Sequence, residues 1–300
     1  MLDSAFQQVV EDQLKQALGS YAQIESVTPV NGGDINESLC LSLAEGTRVF
    51  MKYNRSPLPN LFVREAEGLQ LLAETNTLKI PKVIALSEGT GDHPAFLLLE
   101  WIESDQDADA SAEREFGRQL AKLHQHKAVA YGLKNDNYIG SLPQSNQPQA
   151  KWIDFYREQR LDAQFSLLEK QQRLTQRRAH LINLLMDSLN RFIDEEAIQP
   201  SLLHGDLWGG NFLMSNGQAV LIDPAIYYGH REIEMAFTEL FGGFSQEFYQ
   251  GYHDVWALPS DYQERKSLYQ LYPLLVHLSL FGESYGSRVD AVLEQYVGTG

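Results

Sequence analysis

The hydrophobic pattern changes once, near residue 102, and that change limits the folds open to this 300-residue chain. Before Ile102 most apolar runs are short and strand-like. Beyond it, nearly every apolar run repeats with helical period. At the start, Phe6, Val9, Val10, Leu14, Ala17 and Leu18 share one helical face, and Gly19 predicts the end of that helix. The stretches IESVTPV, SLCLSLA and RVFMKYN predict strands, the last two joined as a hairpin by Glu45-Gly46. A helix around Val63–Ala73 follows. PKVIALSE and AFLLLEWI then read as two further strands, separated by the Gly89–Pro94 turn region.

The polar, acidic stretch ESDQDADASAE marks the change of character. After it, Phe116, Leu120 and Leu123 fall on one helical face. Phe155–Leu168, Arg178–Ile193, Arg231–Leu240, Gln246–His253, Tyr262–Leu280 and Val289–Tyr296 are further predicted helices. Only Phe212–Met214 and Ala219–Ile222 read as strands in this half, with Ser215-Asn216-Gly217 as their turn. The expected fold class is α+β, with two lobes. Residues 1–102 would form an antiparallel sheet lobe with a connector, and residues 103–300 a mainly helical lobe with one embedded hairpin. That is the plan of the protein-kinase-like fold, in which nucleotide binds between the lobes.

Composition narrows the partners. The net charge of −16 sets nucleic acid and anionic membrane aside and suits a cationic substrate. It also means that a phosphate site here needs a metal and local positive charge. The longest apolar run, AFLLLEWI, already holds a glutamate and is far too short to span a bilayer. The N-terminal MLDSAFQQVVEDQL is acidic and amphipathic, unlike a secretory signal. Cys40 is the sole cysteine, so no internal disulfide is expected, and a reducing, cytoplasmic setting follows.

One stretch carries far more polar chemistry than a turn needs: LLHGDLWGGNFLMSNGQAVLIDPA, from Leu202 to Ala225. Asp206 and Asn211 are five apart, the spacing of catalytic base and metal-binding asparagine in H-x-D-x-x-x-x-N. Asp223 follows the apolar strand AVLI, where kinases place their second metal carboxylate. Upstream, Lys52 ends the strand RVFMK, with Val49 and Met51 on the face opposite Phe50 and Lys52. Glu65, on the next helix, is placed to pair with that lysine and hold it over phosphates. Each element has a plain alternative: a solvated lysine, a surface ion pair, an Asx-turn, a strand terminator. Their ordered combination is what points to phosphoryl transfer with ATP and Mg²⁺. Gly32 and Gly33 in VNGGDINES lack the full G-x-G-x-x-G pattern, so that turn either covers phosphate or is only a permissive hairpin. His124 and His126 are two apart on a helix and share no face, so they are not a metal pair. His204 is expected to buttress its loop through hydrogen bonds. On residue type alone, His277 reads as a satisfied buried histidine.

The segments LLHGDLWGGN, IDPAIYYGHREIEMA and FGGFSQEFYQGYH resemble the fructosamine-3-kinase (ketosamine kinase) family, relatives of the aminoglycoside and choline kinases. FVREAEGLQLL, YIGSLPQSN, WIDFYREQRL and LYQLYPLLVHLSLFG extend the likeness from Gln7 to Val297. The resemblance implies ATP-dependent phosphorylation of the sugar 3-hydroxyl of ketosamines, the Amadori adducts of sugars on lysine or other amines. The 3-phosphate destabilises the adduct and releases the amine, which amounts to deglycation. Members similar to this one generally prefer ribulosamine or erythrulosamine over fructosamine. Matched residue by residue, the resemblance makes Asp206 the base, gives Asn211 and Asp223 the metal, and has Lys52 with Glu65 orient ATP. Glu100, Trp101 and Ile102 would contact adenine, and Trp208 and His277 would face the sugar. A small ketosamine or glycated lysine is the implied partner of a monomer or weak homodimer. Some relatives carry a redox-active cysteine in the glycine-rich loop. Here the loop reads Gly33-Asp34-Ile35, with Cys40 further along. A kinase for an aminoglycoside or choline shares the same catalytic set, and a non-catalytic nucleotide-binding module is the alternative of a different class.

Overall fold

The protein is described from a computed structural model covering residues 2–30, 36–105 and 109–298. Along the chain come α1 (Ser4–Leu18), β1 (Ile24–Pro29), β2 (Glu37–Leu43), β3 (Arg48–Asn54), α2 (Leu61–Glu74), β4 (Val83–Ser87) and β5 (Ala95–Glu100). Then follow α3 (Ala110–Leu123), β6 (Asn137–Ile139), β7 (Leu142–Gln144), α4 (Trp152–Phe155), a π-helical stretch (Tyr156–Asp162), α5 (Ala163–Lys170) and α6 (Gln176–Ser188). The remainder is β8 (Ser201–Leu203), β9 (Phe212–Ser215), β10 (Gln218–Leu221), β11 (Tyr227–Gly229), α7 (Arg231–Thr238), α8 (Gln246–Trp256), α9 (Tyr262–Phe281) and α10 (Gly286–Val297). Among the described residues no helix is long and apolar enough to cross a membrane.

Two compact units result: Met1–Ala108 with Leu213–Pro224, and Asp109–Phe212 with Ala225–Gly300. Sequence order alone places the 212–222 hairpin in the second domain. The structure instead groups nearly all of it with the first unit. Its hydrogen bonds explain why: Leu221 N–H donates to the Lys79 carbonyl at 3.1 Å, and Asp105 N–H donates to the Met214 carbonyl at 2.7 Å. The hairpin turns through Asn216 (φ 51°) and Gly217 (φ 71°), positive φ at both central positions, which suits an Asn-Gly pair.

The first unit is built on a five-stranded sheet in the order β1-β2-β3-β5-β4, every pairing antiparallel. Leu39, Leu41 and Leu43, Val49, Met51 and Tyr53, and Phe96 and Leu98 alternate along their strands and point to one face, where they pack with Phe6, Val10 and Leu14 of α1. Asp3 caps that helix by accepting from Phe6 N–H, and Gly19 ends it at φ 117°. Lys52 therefore points to the other face.

In the second unit a large core gathers Trp152, Phe155 and Tyr156 with Leu181, Ile182 and Leu185 of α6 and Leu268, Tyr269 and Leu275 of α9. Helix α3 lies against α8 at close range. A Cβ on Gly117 would run into the Phe248 carbonyl, and one on Gly251 into the Arg114 carbonyl. Besides the predicted hairpin, this half of the chain holds β6–β7 and β8–β11, two antiparallel pairs of three-residue strands that the hydrophobic pattern does not reveal. The helix expected from Phe155 starts at Trp152 and winds as a π-helix through Tyr156–Asp162.

Candidate active site

The candidate residues fall into two groups, one in each unit. In the first unit Lys52, only 7% exposed, donates to Glu65 Oε1 at 2.8 Å and is ion-paired with Asp223. Alternation on β3 aims Lys52 away from the α1 core, and α2 presents Glu65 to it. Burial works against the Lys52 ammonium, but Asp223 and then Glu65 outweigh it and raise its pKa. Burial pushes the Glu65 carboxyl up, with Lys52 opposing and Asp223 adding to the rise. Asp223 sits at φ +55°, a conformation that costs a non-glycine residue energy and is found disproportionately at functional sites. Its side chain is 38% exposed. Two carboxylates on one ammonium leave surplus negative charge, and oxygen donors of this kind suit a hard divalent cation.

Glu100 ends β5, and its carboxylate accepts from Lys82 N–H at 3.3 Å. Trp101 donates to Glu103 at 2.9 Å beneath the Arg48 guanidinium, and Ile102 is buried. Gly32 and Gly33 lie outside the described residues.

In the second unit the loop after β8 holds Asp206 and Asn211 together. Asn211 Nδ2 donates to the Asp206 carbonyl at 2.8 Å and to Asp206 Oδ2 at 3.0 Å. With its NH₂ group so used, the Asn211 amide oxygen is the end suited to a metal. Leu207 is fully buried, and its neighbour Trp208 is 43% exposed. Trp208 is therefore not core; its ring lies over Gly210, where a Cβ would meet it. Gly209 abuts Gly243, both backbones approaching closely, and Phe241, next to the Gly242-Gly243 pair, packs its ring tilted against His277 with centroids 4.5 Å apart. His277 also donates from Nδ1 to the Pro273 carbonyl at 2.8 Å and touches Phe281 and Tyr285. Burial lowers its pKa.

Buried partners without a sequence signature hold the loop from behind. Glu234 on α7 accepts from His204 N–H and Gly205 N–H, both at 2.9 Å, and from His124 Nε2 at 3.0 Å. His124 in turn meets the Tyr252 hydroxyl at 2.8 Å. His204 is fully buried, and its Nδ1 accepts from Asp206 N–H at 3.3 Å, as a buttress should. The signal available for Glu234 is slight: an acid in EIEMA looks like any surface helix acid until the helix is seen to be buried throughout.

Burial disfavours the Glu234 carboxylate, yet its bond to His124 and the nearby His204 and Gly205 outweigh that and lower its pKa. A depressed folded pKa adds stability above the unfolded value of about 4.3, lost as pH falls through the folded value. Glu234→Gln is therefore expected to lose stability at pH 7 and to close the gap to wild type as the pH drops below about 4. Urea midpoints from about pH 7 down to about pH 3 check this; a gap independent of pH would contradict it.

The fold is that of the protein-kinase-like phosphotransferases. The fructosamine kinase family model matches residues 6–299, and the chain belongs to that family. It is 38% identical over 293 residues to a probable ketoamine kinase of Vibrio parahaemolyticus, covering 97% of this chain and 99% of that one. It is 34% identical to a chloroplastic protein-ribulosamine 3-kinase of Oryza sativa subsp. japonica, covering 96% of this chain and 84% of that one. The crystal structure of a candidate fructosamine-3-kinase from Haemophilus somnus superposes with a TM-score of 0.85 at 30% identity, covering 96% of each chain.

Proposed function

We propose that this chain transfers the γ-phosphoryl group of ATP to the sugar 3-hydroxyl of ketosamines, with ribulosamine and erythrulosamine preferred over fructosamine. The observation that carries the reading is the Asp206–Asn211 pair, held in a buttressed loop within a chain of the fructosamine kinase family. Asp206 takes the proton of the 3-hydroxyl, whose oxygen bonds to the γ-phosphorus as the bond to ADP breaks. Asn211 and Asp223 would hold Mg²⁺, and Lys52, fixed by Glu65, would meet the phosphates. Bound Mg²⁺ supplies charge neutralisation at the transferring group. Glu100–Ile102 would line the adenine and Gly32–Gly33 cover phosphate. The product 3-phosphate then releases the amine. Phosphorus NMR of the product from ribulose-lysine tests this: an ester at O3 followed by free lysine supports it, and an ester at another hydroxyl overturns it.

Trp208 and His277 would wall the acceptor site. Trp208→Ala is expected to raise the ketosamine KM about tenfold, the loss of roughly 1.4 kcal/mol of ring contact, with ATP KM and melting temperature nearly unchanged. A large fall in melting temperature with an unmoved ketosamine KM would count against it.

A further inference from the structure

The stretches YIGSLPQSN and WIDFYREQRL meet in one buried network, centred on Arg160 in the π-helical turn. Arg160 is fully buried, and no ion pair to it is found among the described residues. Its Nη1 donates to the Ser145 and Gln159 carbonyls at 2.6 and 2.9 Å, and its Nη2 to Asn146 Oδ1 at 2.9 Å. The rings of Tyr227, Phe155 and Tyr272 flank it at 3.9, 4.6 and 5.3 Å. Its Nε has no hydrogen-bond partner. Burying such a cation without a carboxylate is costly, and hydrophobic replacements of buried charges are often neutral or stabilising.

Arginine only donates, so the amide it meets must face it with oxygen, and backbone carbonyls orient the amides beyond. Asn146 must offer its oxygen to Arg160, so its Nδ2 donates to Asn137 Oδ1 at 2.9 Å. Asn137 then donates from Nδ2 to the Ile226 carbonyl at 2.8 Å. Gln144 donates to Asn137 Oδ1 at 2.8 Å and to the Ala225 carbonyl at 3.0 Å, and accepts from the Tyr272 hydroxyl at 2.7 Å. Ala225 in turn donates its N–H to the His204 carbonyl at 2.9 Å, and its own carbonyl lies where a Cβ on Gly205 would be.

We propose that Arg160 is a positioning residue for phosphoryl transfer. Its donor-only guanidinium holds the Asn146 oxygen at the outer end of the Asn146–Asn137–Gln144 chain, and that chain, donating to the Asn135, Ile226 and Ala225 carbonyls, pins Ala225–Ile226 and so the His204–Asp206 turn. The kinetic part rests on the kinase reading; the anchoring does not. Arg160→Gln, which can present either end of its amide, is expected to lower kcat about 10–100-fold with ATP KM within about twofold. Arg160→Lys, still donor-only, should recover most of that loss. Tyr272→Phe, which keeps the ring and should fold, is expected to lower kcat about threefold to tenfold. Amide hydrogen exchange across residues 202–207 should quicken in Arg160→Gln and Tyr272→Phe, with no substrate present. Wild-type kcat and wild-type exchange in folded Tyr272→Phe would overturn the proposal, as would equal losses in the lysine and glutamine variants. A wild-type chain inert toward every ketosamine would remove the kinase reading alone, leaving exchange to decide the anchoring.

Discussion

Asp206→Asn is expected to lower kcat about 10²–10⁴-fold while ATP still binds. The substitution keeps the shape of the side chain and an oxygen able to accept from Asn211 Nδ2, so the loop retains its 3.0 Å contact. What it removes is a group that can take a proton from the acceptor hydroxyl as the new bond forms. That loss falls on the transition state and not on nucleotide binding. Steady-state kinetics on ribulose-lysine, with ATP affinity by calorimetry, separate the two. A variant keeping a third of wild-type kcat would reject Asp206 as the base.

Asp223→Asn is expected to weaken productive ATP use about 100-fold, a loss of roughly 3 kcal/mol. Asparagine is the right replacement because position 223 sits at φ +55°, which asparagine tolerates better than alanine. The change removes one of the two charges on Lys52 and, on the proposed reading, a metal carboxylate. With Asp223 neutral, the rise in the Glu65 pKa that Asp223 adds to burial is also removed. On the proposed reading a divalent ion bridges the carboxylates and the triphosphate in this chain of net charge −16, so excess chelator should reproduce the loss in wild type. Unchanged ATP affinity in both the variant and the chelated wild type would contradict the assignment.

The parts of this fold that are legible in the sequence are those with a clean period or a demanding turn. Val49, Met51 and Tyr53 alternate with Phe50 and Lys52 along β3, so the outward placement of Lys52 is readable. Asn216-Gly217 could hardly be anything but a tight turn. The three-residue strands β6, β7, β8 and β11 are too short to show any period. Nor does a sequence announce a π-helical turn at Tyr156–Asp162, where the apolar spacing still looks helical. The hairpin's allegiance to the first unit depends on bonds to Lys79 and Asp105, distant in sequence. Among the site residues, Lys52, Glu65, Asp206, Asn211 and Asp223 stand out by motif order. Glu234 and Arg160 do not, because their importance lies in being buried, and burial of a charged residue has no local signature.

The most direct test is ATP turnover by the purified chain against ribulose-, erythrulose- and fructose-lysine, with aminoglycosides and choline alongside. Phosphorylation of the ketosamines, fastest on ribulose- or erythrulose-lysine, is the predicted result. Turnover confined to an aminoglycoside or choline, or nucleotide binding with no turnover on any of them, would contradict it.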